Sequence, residues 1–130
     1  MVAVTLQCVI VDDSPAVLRA ASELLERQGL AVVGVAANCE EAVRLMERVE
    51  ADVVLIDIDL GRESGFDLAR RLAGRADRPE SPSILTSTHD GADFATLIAA
   101  SPAIGFLPKS ELSAEAIQRL LTGAQDEGRY

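Results

Sequence analysis

Four groups of residues in this 130-residue chain have the types and spacing that chemistry needs: Asp12-Asp13, Asp57, Thr86-Ser87-Thr88 and Pro108-Lys109. Asp57 follows Asp13 by 44 residues, Ser87 follows Asp57 by 30, and Lys109 follows Ser87 by another 22. Three carboxylates gathered in one place repel one another, two unit charges about 4 Å apart by about 4 kcal/mol at an effective dielectric near 20. Such a cluster calls for a compensating cation. Oxygen-only ligands, with no histidine nearby except His89 in a loop, suit a hard ion such as Mg²⁺, which keeps waters and an open side for a phosphate oxygen. An aspartate fixed at the end of a stiff element makes a nucleophile. A lysine neutralises an incoming phosphoryl group, and a Ser or Thr hydroxyl donates to one of its oxygens. The chemistry these residues suggest is phosphoryl transfer to an aspartyl oxygen beside a divalent ion.

The elements that must position them are readable as well. Cys8–Val11, Val53–Ile56 and Ile84–Leu85 are short apolar runs ending in polar residues, the pattern of strands buried on both faces of a parallel sheet. Val32–Ala37 and Ala103–Leu107 are weaker runs of the same kind. Between them lie helical periods. Ser14-Pro15 supplies an N-cap and a first-turn proline, Val17, Leu18, Ala21, Leu24 and Leu25 recur at helical spacing, and Gly29 closes the helix. Asn38 with Glu41 forms a capping box for a second helix through Val43, Met46 and Val49. Phe66–Leu72 is a third, ending near Gly74. Asp90 and Asp93 are candidate caps for a fourth through Phe94, Leu97 and Ile98, stopped by Ser101-Pro102. Ser113 opens a fifth over Ala114–Leu121, with Gly123 as its stop. Five strand–helix alternations predict a right-handed parallel α/β sandwich, whose functional groups collect at the carboxyl ends of the strands.

Composition narrows the partners. Hydrophobic residues at 48% and charged ones at 25% describe an ordinary globular chain long enough for one core. The net charge of −9 argues against direct contact with nucleic acid or anionic membrane. Only Phe66, Phe94, Phe106 and Tyr130 are aromatic, so no stacking platform for single strands exists. Cys8 and Cys39 are too few for a disulfide framework or zinc site, and Cys8 reads as a small core residue. No run approaches the roughly 18 apolar residues of a membrane helix, and the N-terminus lacks a secretory signal. The expected compartment is the cytoplasm.

Val9-Ile10-Val11-Asp12-Asp13-Ser14, Val53-Val54-Leu55-Ile56-Asp57-Ile58-Asp59-Leu60 and Gly105-Phe106-Leu107-Pro108-Lys109-Ser110 resemble the receiver domain of two-component response regulators. The resemblance spans essentially the whole chain, with residues 1–123 as the domain and 124–130 as a short polar tail. It implies a flavodoxin-like fold: a doubly wound five-stranded parallel sheet of order 2-1-3-4-5 flanked by five helices. It further implies a phosphorylation-dependent switch in which Asp57 accepts a phosphoryl group from a histidine kinase or phosphotransfer protein. Asp13 and Asp57 would ligate Mg²⁺ directly, Asp12 largely through water, and the backbone carbonyl of Asp59 would complete the protein ligands. Ser87 would hydrogen-bond the phosphoryl oxygen, Lys109 would pair with it, and Phe106 would stand at the family's switch aromatic. The face built by the fourth helix, fifth strand and fifth helix would carry the signal to a downstream protein or into a phosphorylation-linked dimer. The chemistry would be limited to self-phosphorylation and self-dephosphorylation, so the domain would be a regulator rather than an enzyme. No stretch beyond Leu121 could form a DNA-binding output domain, which leads to the expectation of a stand-alone receiver, although Gly105–Leu121 also resembles receivers that precede a helix-turn-helix.

Departures from the family pattern carry expectations of their own. Leu60-Gly61-Arg62-Glu63-Ser64-Gly65 keeps only the final glycine of the usual turn, which predicts a more mobile loop. Ser110 replaces the usual proline after the lysine, so a cis peptide there is less expected. Thr86 rivals Ser87 for the phosphoryl contact, the choice of Ser87 resting on its spacing to Asp57. Thr88 stands where a small residue is common, and with Asp59 and His89 it would line the path of attacking water and tune phosphoryl lifetime. A rival reading comes from another class. Asp57-Ile58-Asp59 matches the Asp-x-Asp nucleophile signature of Mg²⁺-dependent, haloacid dehalogenase-like phosphohydrolases, although that motif usually follows the first strand and would leave Asp12-Asp13 without a role.

Overall fold

A computed structural model describes residues 5–75, 81–89 and 91–127. Strands and helices alternate as β1 (Gln7–Val11), α1 (Pro15–Arg27), β2 (Ala31–Ala36), α2 (Cys39–Arg48), β3 (Val53–Asp57), α3 (Gly65–Ala73), β4 (Ser83–Ser87), α4 (Ala95–Ala100), β5 (Gly105–Pro108) and α5 (Ala114–Glu127). The five strands form one parallel sheet in the order β2-β1-β3-β4-β5. The order reverses between β1 and β3, the point where an open α/β sheet leaves a crevice beyond its strand ends. The expected fold and strand order are therefore observed.

Alternation of side chains across the pleat divides the core in two. Val9, Val11, Val54, Ile56 and Leu85 face one way and pack with Met46, Phe66 and Leu68 of α2 and α3. Cys8, Ile10, Val53, Leu55 and Ile84 face the other way and pack with Leu25 and Ile117 of α1 and α5. All five residues of β3, Asp57 included, are buried. The apolar run that marks β3 in the sequence is thus what holds the Asp57 backbone rigid.

Helix ends follow the cap chemistry of the sequence. Ser14 Oγ accepts from Val17 N, Asn38 Oδ1 accepts from Glu41 N, and the Glu41 carboxylate reaches back to Ala37 N. Gly29 adopts φ +96°, the left-handed residue after α1. Two expectations fail. Asp93 does not cap α4: a 3₁₀ turn over Gly91–Phe94 takes in Asp93, and Phe94 precedes the helix with no side-chain cap bond. Asp90 lies outside the described residues. Gly123 does not stop α5, which continues to Glu127, because a helix tolerates an interior glycine at a cost of about 1 kcal/mol. No cis peptide is present among the described residues.

The segment after β3 differs most from its sequence reading. It folds into an antiparallel ribbon pairing Asp59 with Ser64 and Leu60 with Glu63. Gly61, at the first position of the two-residue loop, has φ +76°, as tight hairpin turns require. Glycine at that point, with no side chain to oppose the turn, orders a loop that looks mobile in the sequence.

Candidate phosphoryl-transfer site

The acidic rim is assembled from the two strands flanking the switch point. Asp12 follows β1, its N–H donating to Ala36 O at 3.0 Å, and is only 2% exposed. One of its carboxylate oxygens accepts from Ser14 N at 2.9 Å and the other meets Lys109 Nζ at 2.6 Å. Asp57 repeats the arrangement: Oδ1 accepts from Asp59 N at 3.1 Å, and Oδ2 meets the same Lys109 Nζ at 2.9 Å. Each buried carboxylate is thus held by a backbone N–H two residues ahead and by one shared ammonium. Asp13 is exposed, and its Oδ2 lies 3.5 Å from where a side chain on Gly61 would begin.

Carboxylate oxygens of Asp12, Asp13 and Asp57 lie within 4.8 Å of one another. Ligand oxygens opposite each other in a Mg²⁺ octahedron stand about 4 Å apart, so this all-oxygen set needs only a small contraction to hold such an ion. Three negative groups against one ammonium leave an excess of negative charge for the ion to offset. These donors fit a hard divalent cation.

Burial and charge both act on the ionisation of this cluster. Burial pushes the Asp57 carboxyl above the ordinary carboxylate range; the Asp59 N–H and Lys109 pull it down and the Asp12 charge adds to the rise. Burial alone would lower the Lys109 ammonium, but its bonds to Asp12 and Asp57 outweigh that and hold it above the ordinary lysine value. The cation that Asp57 shares with Asp12 does not offset the burial of the Asp57 carboxylate. For Asp57 the sign follows directly: a raised carboxyl favours the folded state at low pH and loses that contribution as pH rises through its titration. Asp57→Asn should therefore stabilise the metal-free protein at neutral pH, by on the order of 1 kcal/mol, and flatten the change in melting temperature from the ordinary carboxylate range up to neutral pH. Thermal melts across that range check it; a variant less stable than wild type at pH 7 contradicts the sign.

The hydroxyl cluster ends β4. Thr86 pairs with Asp57 across the ladder and its carbonyl accepts from Ile58 N at 3.0 Å. Ser87 is 3% exposed, and its Oγ accepts from His89 N at 3.0 Å. The pleat separates the rivals. Thr86 pairs with Leu107, whereas Ser87 shares a sheet face with Leu85 and, through the Leu85–Phe106 pair, with Phe106. Phe106 is half-buried, its ring packed so closely on Gly91 that a side chain there would begin 2.8 Å from Cδ1. Thr88 and His89 are exposed beside Ser87, with Thr88 Oγ1 3.4 Å from His89 Nδ1. Asp59 is exposed, and its side chain accepts from Gly61 N at 3.2 Å.

Gly65 is the residue whose part the sequence understates. A Cβ on it would fall 2.1 Å from the Asp57 carbonyl oxygen, so the start of α3 rests against the backbone of the acidic site. Its place as the one glycine retained from the family's turn was the available signal.

Comparison with known proteins gives this geometry its context. The profile of the response regulator receiver domain matches residues 8–121. The chain is 37% identical over 107 residues to a protein-glutamate methylesterase/protein-glutamine glutaminase of Shewanella denitrificans, covering 81% of this chain and 27% of that protein. It is 29% identical over 126 residues to the transcriptional regulatory protein DegU of Brevibacillus brevis, covering 96% of this chain and 52% of that protein. A LuxR-family two-component response regulator from Aurantimonas sp. SI85-9A1 superposes with a TM-score of 0.81 at 30% identity, over 92% of this chain and 87% of that one. The chain spans roughly a quarter to a half of the length of these two curated relatives. It belongs to the response regulator receiver domain family, whose members are phosphorylation-dependent switches of two-component signalling that work with a histidine kinase or phosphotransfer partner. The phosphohydrolase reading finds no support, since Asp57-Ile58-Asp59 follows the third strand and not the first. Among the described residues no helix is long and apolar enough to cross a membrane.

Proposed function

We propose that Asp57 is the phospho-acceptor of this receiver and that Asp12, Asp13, Asp57 and the Asp59 carbonyl provide the protein ligands for Mg²⁺. The observation that carries the reading is the Lys109 ammonium bridging Asp12 and Asp57, with an Asp13 carboxylate oxygen within 4.8 Å of theirs. Bound there, the ion would supply positive charge to the phosphoryl oxygens. An Asp57 carboxylate oxygen attacks the phosphorus of a phosphohistidine; the new P–O bond forms as the P–N bond breaks, and its electron pair returns to the imidazole. Lys109 shifts from a carboxylate to the arriving phosphoryl oxygens, and Ser87 Oγ, the hydroxyl on the Phe106 face, donates to one of them. Drawing Ser87 inward opens space for the Phe106 ring, so one added charge biases a two-state packing. The face of α4, β5 and α5 then presents the change to a downstream protein or a second copy. Chemistry beyond self-phosphorylation and self-dephosphorylation is not needed, and the cytoplasm, where such kinases present their phosphohistidine, is the compartment this role requires.

Incubation with Mg²⁺ and acetyl phosphate should add one phosphoryl group to the wild type by intact mass and none to Asp57→Asn. Labelling of the variant at the wild-type level would overturn the assignment, and multiple-turnover release of phosphate from generic esters would restore the hydrolase. The exposed trio Asp59, Thr88 and His89 lines the approach to the acceptor. Alanine at each should change the decay of the phosphorylated protein severalfold, read as loss of the mass adduct over time; three unchanged decays would remove them from the reaction path.

A further inference from the structure

A second cleft, of about 690 Å³, opens between the ribbon after β3, the start of α2 and α3. It shares no residue with the acidic rim. Arg62, Arg70 and Arg71 line it together with Glu63 and Asp67. Both acids are already engaged: Glu63 Oε1 accepts from Cys39 N at 3.1 Å, and Asp67 is ion-paired with Arg70. Arg62 and Arg71 have no ion-pair partner among the described residues. The cleft lining carries three arginines against two acids in a chain of net charge −9, so the concave surface is locally the more basic.

We propose that this cleft binds a compact polyphosphate anion, free or as the phosphate chain of a nucleotide. Unpaired guanidiniums offer planar, paired donors that match phosphate oxygens. The volume falls within the roughly 300–1,000 Å³ of small-molecule sites, more than a single inorganic anion would fill. The acidic remainder of the protein repels anions generally, so affinity for a polyanion must arise at this cleft. A concave site with arginines on two elements, the ribbon and α3, favours a compact ligand bearing several charges over an extended acidic peptide.

The test is calorimetric titration of the metal-free full chain with ATP and, separately, with inorganic pyrophosphate at physiological salt. Saturable one-to-one binding of ATP is expected, weakened by about tenfold or more in the double variant Arg62→Ala/Arg71→Ala. It should be unchanged in Arg44→Ala/Arg119→Ala, which removes exposed arginines elsewhere, and in Asp57→Asn. Equal affinity for pyrophosphate would assign recognition to the phosphates alone, and ATP binding without pyrophosphate binding would add contacts to the nucleoside. No saturable ATP binding, retention of full affinity in the Arg62/Arg71 variant, or loss of it in Asp57→Asn would overturn the proposal. Circular dichroism melts establish that each variant is folded.

Discussion

Lys109→Met should cost the metal-free protein about 3 kcal/mol at neutral pH, the scale of removing one partner from a buried ion pair. The substitution keeps the length of the side chain and removes the only cation among the described residues paired with Asp12 and Asp57, whose side chains are 3% and 8% exposed. The two carboxylates would then be left buried and mutually repelling. In the wild type the Lys109 contribution, with its ammonium held above the ordinary lysine value of about 10.4, is complete at neutral pH and is lost only as pH rises through that higher range. In the variant the deficit should shrink as pH falls, because Asp57, already displaced upward by burial, protonates and the repulsion disappears. Saturating Mg²⁺ should recover much of the loss by supplying the missing positive charge. Chemical denaturation at several pH values, with and without the ion, measures all three effects. A deficit that is the same at pH 7 and in the carboxylate range, and that ignores Mg²⁺, would mean that Lys109 contributes packing and not charge.

The acidic rim was legible in the sequence because each of its members ends an apolar run. Such a run must be a buried strand, and parallel strands deliver their ends to one edge. Asp12, Asp57 and Lys109 needed no further information to be placed together, and the caps at Ser14 and Asn38 were equally plain because they depend on neighbours three residues away. What stayed hidden depends on contacts across the chain. The bridging of two carboxylates by one ammonium joins residues 97 and 52 positions apart. The face that Ser87 shares with Phe106 emerges only through the pairing of β4 with β5. The ribbon at Asp59–Ser64 leaves no mark in the sequence because its pairing is only two residues long on each side, too short for periodicity to show. The end of α5 is hidden because a glycine within a helix and a glycine that stops one look the same until the backbone is known.

Gly65→Ala should be among the most damaging single substitutions in the chain, costing about 3 kcal/mol or more. The added methyl would sit 2.1 Å from the Asp57 carbonyl oxygen and 2.8 Å from both the Asp57 carbonyl carbon and Ile58 Cα. These are backbone atoms at the buried end of β3 and just beyond it, so no side-chain rotation relieves the contact. Either α3 must back away, losing the packing of Phe66 and Leu68, or the peptide at 57–58 must move. The second route breaks the bond from Gly65 N to Ile58 O, now 3.0 Å, and rotates the carboxylate held by Asp59 N. The lesion therefore reaches chemistry as well as stability: the fraction still folded should accept phosphoryl groups from acetyl phosphate more slowly and bind Mg²⁺ more weakly. Gly74→Ala is the control. Its φ is −81° and the nearest atom to an added Cβ is 3.5 Å away, so alanine there should be neutral or stabilising by about 0.4–1 kcal/mol through the unfolded chain. Thermal melts separate the two, and labelling rates normalised to folded protein isolate the local effect. If Gly65→Ala melts and labels like Gly74→Ala, the start of α3 does not press on the acceptor strand, and the rigidity assigned to Asp57 must come from β3 alone.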